Sequence, residues 1–356
     1  MRVLHLPVNY GSLPSHTVRM LRAGSIDAHG LVFSKSVVQS ADNMKLISDY
    51  GANPAQKIFN RLRWFANVLY SIVATRPDIL HWYFGKDALP FGFDLALVKA
   101  LNIPRVVEWQ GSDIRIPEQE AAENPYFAQA LLDTYEYRDV ESKDNSLRRQ
   151  RRFADAGFFS VAPVGMLQYV DKSIFPETYI IPQRLIVEDY APAYPSPDQQ
   201  KPLIVHSPTA PVAKGTKAVL KAIEALKQRY NFDFQLIQGM PRTEALQLMQ
   251  RADIFLDQFV WGDRGMAALE AMAYGKPVIC YIKPSLANLY PADNPILNAT
   301  QETLANVLES LIANGGIRHQ LGQRGRRFVE REYDAQTVRA EVLKIYEDVI
   351  KQTNSR

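Results

Sequence analysis

Two stretches of this chain bring together residue types that handle phosphate. In HSPTAPVAKGTKAVLKAIEAL (206–226) a strand end passes through a Pro-containing loop into Lys214-Gly215-Thr216, which opens a helix. Free N–H groups at a helix start favour an anion, and Lys214 adds a full positive charge beside them. In WGDRGMAALEAMAYGKPVICY (261–281) a loop with Gly262, Asp263, Arg264 and Gly265 leads into an apolar helix that carries one carboxylate, Glu270. Gly265 lets backbone come close to a ligand, and the N–H groups of Met266 and Ala267 would point toward phosphate oxygens. Glu270 lies about one and a half turns in, where an acceptor-only group could take two sugar hydroxyls. Each feature also has a plain structural reading. Lys214 could face solvent before a capped helix, and Glu270 could pair with an Arg inside the fold, because a nearly buried carboxylate needs such a partner.

A third strand, FDFQLIQG (232–239), ends in Gly239-Met240-Pro241, a turn where a planar base could lie against backbone. Neither a Walker loop nor a dinucleotide fingerprint is present: GxxxxGK is missing, and the first strand is followed by NYGSLPS instead of GxGxxG. No Asp-x-Asp pair occurs, so a divalent-cation route is not supported. His5, His16, His81 and His206 lack metal-ligand spacing and read mostly as satisfied structural groups, although His16 and His206, on loops at strand ends, could also touch a substrate.

The elements that must hold these residues are short apolar runs separated by segments of helical period. Strands are expected at 2–8, 30–34, 78–84, 105–110, 156–162 and 178–182, then at 203–208, 232–239, 253–259 and 277–282. Helical patterns between them include 55–76 and 215–230. This alternation means βαβ units and parallel sheets covered on both faces. The register restarts after PQRLIVEDYAPAYPSPDQQKP (182–202), whose five prolines and lack of period read as a linker. Two doubly wound α/β domains are therefore expected, with ligands at the carboxyl ends of their strands and functional loops facing across a cleft.

Composition narrows the class. A chain of 356 residues exceeds what one core usually supports, and 47% hydrophobic with 22% charged residues is an ordinary soluble globular composition. A net charge of +3 is too small to argue for nucleic acid, and the one cysteine, Cys280, excludes an internal disulfide or a cysteine-cluster zinc site. The N-terminal apolar run is too short for a signal peptide and no stretch is long enough to span a bilayer. A cytoplasmic protein is expected. Contact with the inner face of a membrane stays open through Lys57, Arg61 and Arg63 among Phe59, Leu62, Trp64 and Phe65, and through RRQRR (148–152), although charged helix faces are also simply solvated.

Lys214-Gly-Thr before a helix, then a Gly loop, then EAMAYGKPV (270–278) resembles the retaining glycosyltransferases of family 4, with the GT-B fold. GSLPSHTVRMLR, WQGSDIR (109–115), IPQRL and the stretch 322–350 support the resemblance by order and spacing. It implies two Rossmann-like doubly wound parallel-sheet domains, an acceptor-binding one at 1–184 and a nucleotide-sugar-binding one at 185–335. A last helix, 336–356, would pack back on the first domain. Donor binding would fall to Ser207, Thr209, Lys214, Gln238, Gly239, Met240, Asp263, Arg264, Gly265, Met266 and Glu270, and acceptor binding to Gly11, Ser12, His16 and Gln110. Lys214 and Arg264 would hold the diphosphate, Glu270 the ribose, and Gln110 and Asp113 would join Lys214, Arg264 and Glu270 in catalysis.

Three positions depart from the family pattern. Gly262 stands where an earlier Glu is common, Thr209 where an Arg is, and Gln110 where a His precedes Gly-Ser-Asp. The implied activity is transfer of a sugar from a nucleotide-diphosphate-sugar to a hydroxyl acceptor (glycan, lipid-linked or small-molecule), with retention of configuration and no metal or other cofactor. The alternative is a non-catalytic partner that supports another glycosyltransferase.

Overall fold

The computed structural model describes residues 1–34, 39, 41–48 and 53–355. The chain divides into two compact units. Unit 1 comprises residues 1–116, 140–184 and the C-terminal stretch from Ala335; unit 2 comprises Pro117–Asp139 and Leu185–Asp334.

Unit 1 is built on seven strands: β1 (Arg2–Leu6), β2 (Asp27–Ser34), β3 (Lys45–Ser48), β4 (Ile79–Tyr83), β5 (Arg105–Glu108), β6 (Phe159–Ala162) and β7 (Thr178–Ile180). They lie in the order β3-β2-β1-β4-β5-β6-β7, and every pairing is parallel. The sequence ILHWY of β4 is buried at every position, as a strand covered on both faces requires. Trp82, Trp109, Phe153 and Phe158 fill the adjoining core. Chain order reverses between β1 and β4, so the loops that leave their carboxyl ends separate and open a crevice.

Unit 2 repeats the plan with β8 (Leu203–His206), β9 (Asp233–Leu236), β10 (Ile254–Leu256), β11 (Val278–Cys280) and β12 (Leu297–Asn298), in the order β12-β11-β10-β8-β9, again all parallel. The period of two is visible in its cores: Val205 and Phe255 face one cluster, and Ile204, Ile254 and Leu256 face the other. Full burial of such side chains contributes about 1.5–3 kcal/mol each. The reversal here falls between β8 and β10. Residues 117–139 pack with this unit because Phe127, Ala130 and Tyr135 close over Ala210, Ala213 and Val260, and Asn124 donates to Val260 O at 2.6 Å.

All ten expected strands form; nine are trimmed at their ends, and β2 begins three residues earlier than expected, at Asp27. Two strands were not anticipated, β3 (KLIS) and β12 (LN). Both sit at sheet edges, where a short, half-polar sequence suffices and no apolar run marks it.

One buried network ties unit 1 together. Arg184 donates to both oxygens of Glu108, at 2.8 and 3.2 Å, and to Thr17 Oγ1 at 2.8 Å. His81 Nε2 lies 2.9 Å from Glu108 Oε2, while its Nδ1 is 2.6 Å from the hydroxyl of Tyr346 on the helix Ala335–Asn354. Strands β4 and β5, the end of the 140–184 segment and the C-terminal helix thus share one ion pair. Burial works against the Glu108 charge, but Arg184 and His81 outweigh it and hold the carboxyl at about 2. A carboxylate held lower in the folded than in the unfolded chain adds stability above its unfolded value and loses it as pH falls toward the folded one. Glu108→Gln, which leaves Arg184 buried against a neutral partner, should therefore lower unfolding stability by about 3 kcal/mol at neutral pH. Denaturant titrations of wild type and variant should converge as the pH drops below about 4.5 toward 2.

Candidate functional site

The loops that leave β8 and β10 flank the reversal in unit 2, and they carry the residues singled out above. After β8 the chain turns through Pro211–Lys214 and Gly215 into the helix Thr216–Lys227. After β10 it runs through Asp257 and the Gly262–Gly265 loop into the helix Met266–Ala273. The Phe259 N–H donates to Lys214 O at 3.0 Å, which holds the two loops side by side.

Lys214 does not face solvent; it is 6% exposed. Its ammonium donates to Asp257 Oδ1 at 3.1 Å, and the Gly265 N–H donates to Asp257 Oδ2 at 2.6 Å. Lys214 Nζ also stands 5.6 Å from the centre of the Trp261 ring. A Cβ at Gly265 would meet Lys214 Nζ at 2.8 Å and Asp257 Oδ1 at 3.2 Å, so a larger residue would push the ammonium from its present place. Two donors thus converge on one two-oxygen anion, supplied by Asp257. Sequence reasoning passed over Asp257; its signal was an acidic residue at the carboxyl end of a strand beside the reversal.

Arg264 is buried against the rings of Tyr333 and Tyr290, at 4.4 and 5.2 Å from their centres. Burial opposes its charge, yet Tyr333, Tyr290 and Asp263 raise its pKa further, so it stays a cation. Asp263 accepts from Tyr290 at 2.5 Å, and burial raises its pKa. No acceptor among the described residues meets the N–H groups of Met266 and Ala267 at the start of the following helix.

Glu270 is inside and paired. Its Oε1 accepts from Arg242 at 2.6 Å and from the Tyr190 hydroxyl at 3.0 Å, while Oε2 has no partner among the described residues. Burial, then Glu270, drives the Tyr190 pKa up. Arg242 and Tyr190 were not anticipated. The signal for Arg242 was a cation at the start of a helix next to the Gln238-Gly239-Met240 turn. In that turn Gln238 and Gly239 are exposed, Met240 is half-buried, and nothing stands within 4 Å of a Cβ placed on Gly239. Ser207 is half-buried and Thr209 exposed. His206 is satisfied internally, 2.9 Å from Leu256 O and 3.0 Å from Thr216 Oγ1, and burial lowers it to about 4.

Gly262 has φ +66, and an added Cβ would meet Lys283 Cβ at 3.0 Å and Asn124 Nδ2 at 3.2 Å. Behind it Lys283 pairs with Glu120 at 2.6 Å, both 1% exposed, and Asn124 donates to Glu120 Oε1 at 2.8 Å. A side chain at this position would crowd Lys283 and Asn124.

The remaining residues lie in unit 1. Gly11 and Ser12 form the turn after β1, with φ of 59 at each, and Ser12 is buried. His16 is buried with Nδ1 3.2 Å from Arg184 O. Asp113 accepts the N–H groups of Gln110 and Gly111 at 3.1 and 2.7 Å, which makes it the former of that turn, and burial lifts its carboxyl to about 6. Gln110 Nε2 is buried without a partner among the described residues. No group of three or more His, Cys, Asp or Glu among the described residues is placed to hold a metal ion. No helix among them is long and apolar enough to cross a membrane.

Residues 214–328 match the family described as glycosyl transferases group 1. No curated protein matches the sequence. Among solved structures, a sucrose-phosphate synthase from Thermosynechococcus elongatus superposes with a TM-score of 0.65 at 13% identity, covering 99% of this chain and 100% of the other. A glycosyltransferase from Rickettsia africae gives 0.61 at 13% identity and 98% of both chains. HepE of Anabaena in complex with UDP-glucose gives 0.54 at 13% identity, covering 98% of this chain and 100% of that one. The chain has the fold of GT-B glycosyltransferases, and the segment that carries Lys214, Arg264 and Glu270 is similar to glycosyl transferases group 1.

Proposed function

We propose that this protein is a glycosyltransferase that moves a sugar from a nucleotide-diphosphate-sugar to a hydroxyl acceptor, without a metal ion and with retention of configuration. The observation that carries the reading is the convergence of Lys214 and the Gly265 N–H on one two-oxygen anion at the reversal of the second sheet. The match of residues 214–328 to glycosyl transferases group 1 supports it, as does the UDP-glucose held by HepE on the same fold.

In this reading the donor diphosphate takes from Asp257 the two contacts that its carboxylate now makes. Charge that develops on the departing diphosphate is met by Lys214, by Arg264 and by the free N–H groups of Met266 and Ala267, donors fixed before the reaction begins. Glu270 Oε2 accepts a ribose hydroxyl, while Arg242 and Tyr190 orient the carboxylate through Oε1. The base lies along Gln238-Gly239-Met240, where the backbone is open. The departing phosphate takes the acceptor proton on the face it leaves, which gives retention. The acceptor is a glycan, a lipid-linked or a small-molecule hydroxyl compound, and the protein works in the cytoplasm or at the inner face of a membrane.

The crowding at Gly262 favours one other reading, a chain that binds sugar or protein without catalysis. A thermal-shift panel of nucleoside diphosphates and their sugars separates the two. The correct donor at 100 times its dissociation constant should stabilise the chain by about 2.7 kcal/mol; no response to any nucleotide favours the non-catalytic partner.

With the donor in hand, Lys214→Ala and Glu270→Ala should each cut kcat/KM by roughly 10²-fold or more while circular dichroism stays native, since each removes a charge-assisted contact in a preorganised site. Full activity in either variant would refute the assigned site. Turnover should persist in EDTA, and an inverted anomer seen by NMR in the product would sink the retaining mechanism.

A further inference from the structure

A cavity of about 1040 Å³ lies wholly within unit 1, at the reversal of the first sheet. The loops after β1 and β4, Pro7–Tyr10 and Gly85–Phe91, form its base, and the helices Pro54–Leu69 and Lys143–Asp155 form two walls. Its chemistry is of two kinds.

The first is apolar. Val8, Phe33, Trp64 and Leu89 line it, and the apolar surface continues outward over its rim. Ile58 (61% exposed), Leu62 (65%) and Phe65 (37%) stand at i, i+4 and i+7 on one stripe of the 54–69 helix, and Phe91 across the mouth is fully exposed. A helix of a globular protein normally turns its apolar stripe inward; this one buries Trp64 and Val68 and leaves a second stripe in water.

The second is cationic. Arg61, Arg148, Arg149 and Arg152 line the cavity, and Asp87, the one lining carboxylate among the described residues, is already paired with Arg152. Arg61 and its neighbours Lys57 and Arg63 have no partner among the described residues. Arg149 is held in place by donating through Nη1 to Asp113 O at 2.8 Å, and its other nitrogens remain unpaired among the described residues.

An uncharged glycan would not need four arginines, and a hydrocarbon alone would need none. Guanidinium groups match the oxygens of a phosphate in a fork, and an apolar stripe flanked by Lys and Arg is the composition of a helix that lies on an anionic lipid surface. We propose that this cavity takes a phosphate-bearing amphiphile from an anionic lipid surface against which the Pro54–Leu69 helix docks, its phosphate on Arg61 and Arg149 and its hydrocarbon on Ile58, Leu62 and Trp64. That the amphiphile is the acceptor of the transfer rests on the function proposed above; its binding does not.

The test uses the full chain and three probes: dodecyl phosphate, inorganic phosphate and dodecyl maltoside. Binding is followed by the fluorescence of Trp64, with Trp64→Phe to identify its signal. Dodecyl phosphate should bind at least roughly tenfold more tightly than either other probe. Arg61→Gln combined with Arg149→Gln should remove that advantage and leave dodecyl maltoside binding unchanged. Ile58→Ser with Leu62→Ser should abolish flotation with phosphatidylcholine vesicles that contain phosphatidylglycerol. Equal affinity for dodecyl maltoside or for inorganic phosphate, or an advantage that survives both arginine substitutions, overturns the proposal, as does flotation that survives the serine pair. Nucleotide binding measured on the same samples keeps the two readings apart. A chain that binds a nucleotide-sugar and not dodecyl phosphate loses only this proposal, and one that binds only dodecyl phosphate keeps the cavity assignment and loses the acceptor role.

Discussion

A cationic side chain buried as deeply as that of Lys214 needs an anion beside it, and Asp257 supplies it. Much of unit 2 follows from that contact. Pairing of β10 between β8 and β11 fixes the backbone before Asp257, so the carboxylate stands where the outgoing loops separate. One oxygen takes Lys214 and the other takes the Gly265 N–H, which sets where the loop ends and the helix Met266–Ala273 begins. Because helical rise is fixed, the place of Glu270 is then determined as well. The same pair fixes where two donors point, so an arriving phosphate would have to displace the Asp257 carboxylate to reach them.

Both sheets obey one topological rule and put different chemistry at its outcome. Parallel strands with covering helices leave their variable loops at the carboxyl ends, and the crevice opens where chain order reverses. In unit 2 the crevice is lined by paired charges: Lys214 with Asp257, and Arg242 with Glu270. In unit 1 it is lined by apolar side chains and by arginines with few carboxylates to answer them. The scaffold dictates the location, and only the loop and helix residues dictate the ligand.

What could be read from the sequence follows the range over which each feature is determined. Buried parallel strands announce themselves because both faces are apolar, so ten of them were legible, whereas the edge strands KLIS and LN carry too little apolar sequence. Lys214, Arg264 and Glu270 were legible as residue types beside glycine and a helix start. Their partners were not, because Asp257, Arg242 and Tyr190 arrive from 43, 28 and 80 residues away. The expectation that Glu270 pairs with an Arg was met by Arg242, and the solvent-facing reading of Lys214 was not met. Residues 117–139, read as part of the N-terminal half, pack with unit 2 through contacts such as Asn124 to Val260, 136 residues apart, which no local pattern reveals.

The Gly262 position shows how such distant contacts constrain function. Its positive φ and the nearness of Lys283 Cβ put strain on any side chain placed there, and that neighbourhood is itself tightly paired. Lys283 and Glu120 form a fully buried pair, and removal of one partner of such a pair costs about 3–5 kcal/mol. An acidic residue at 262 would therefore press on Lys283 and on Asn124 of the 117–139 segment. The carboxylates of this loop and helix are those of Asp263 and Glu270. Asp263 is bound by Tyr290, and Glu270 is committed through one oxygen to Arg242 and Tyr190. This loop and helix therefore leave Glu270 Oε2 and the N–H groups of Met266 and Ala267 without a partner among the described residues.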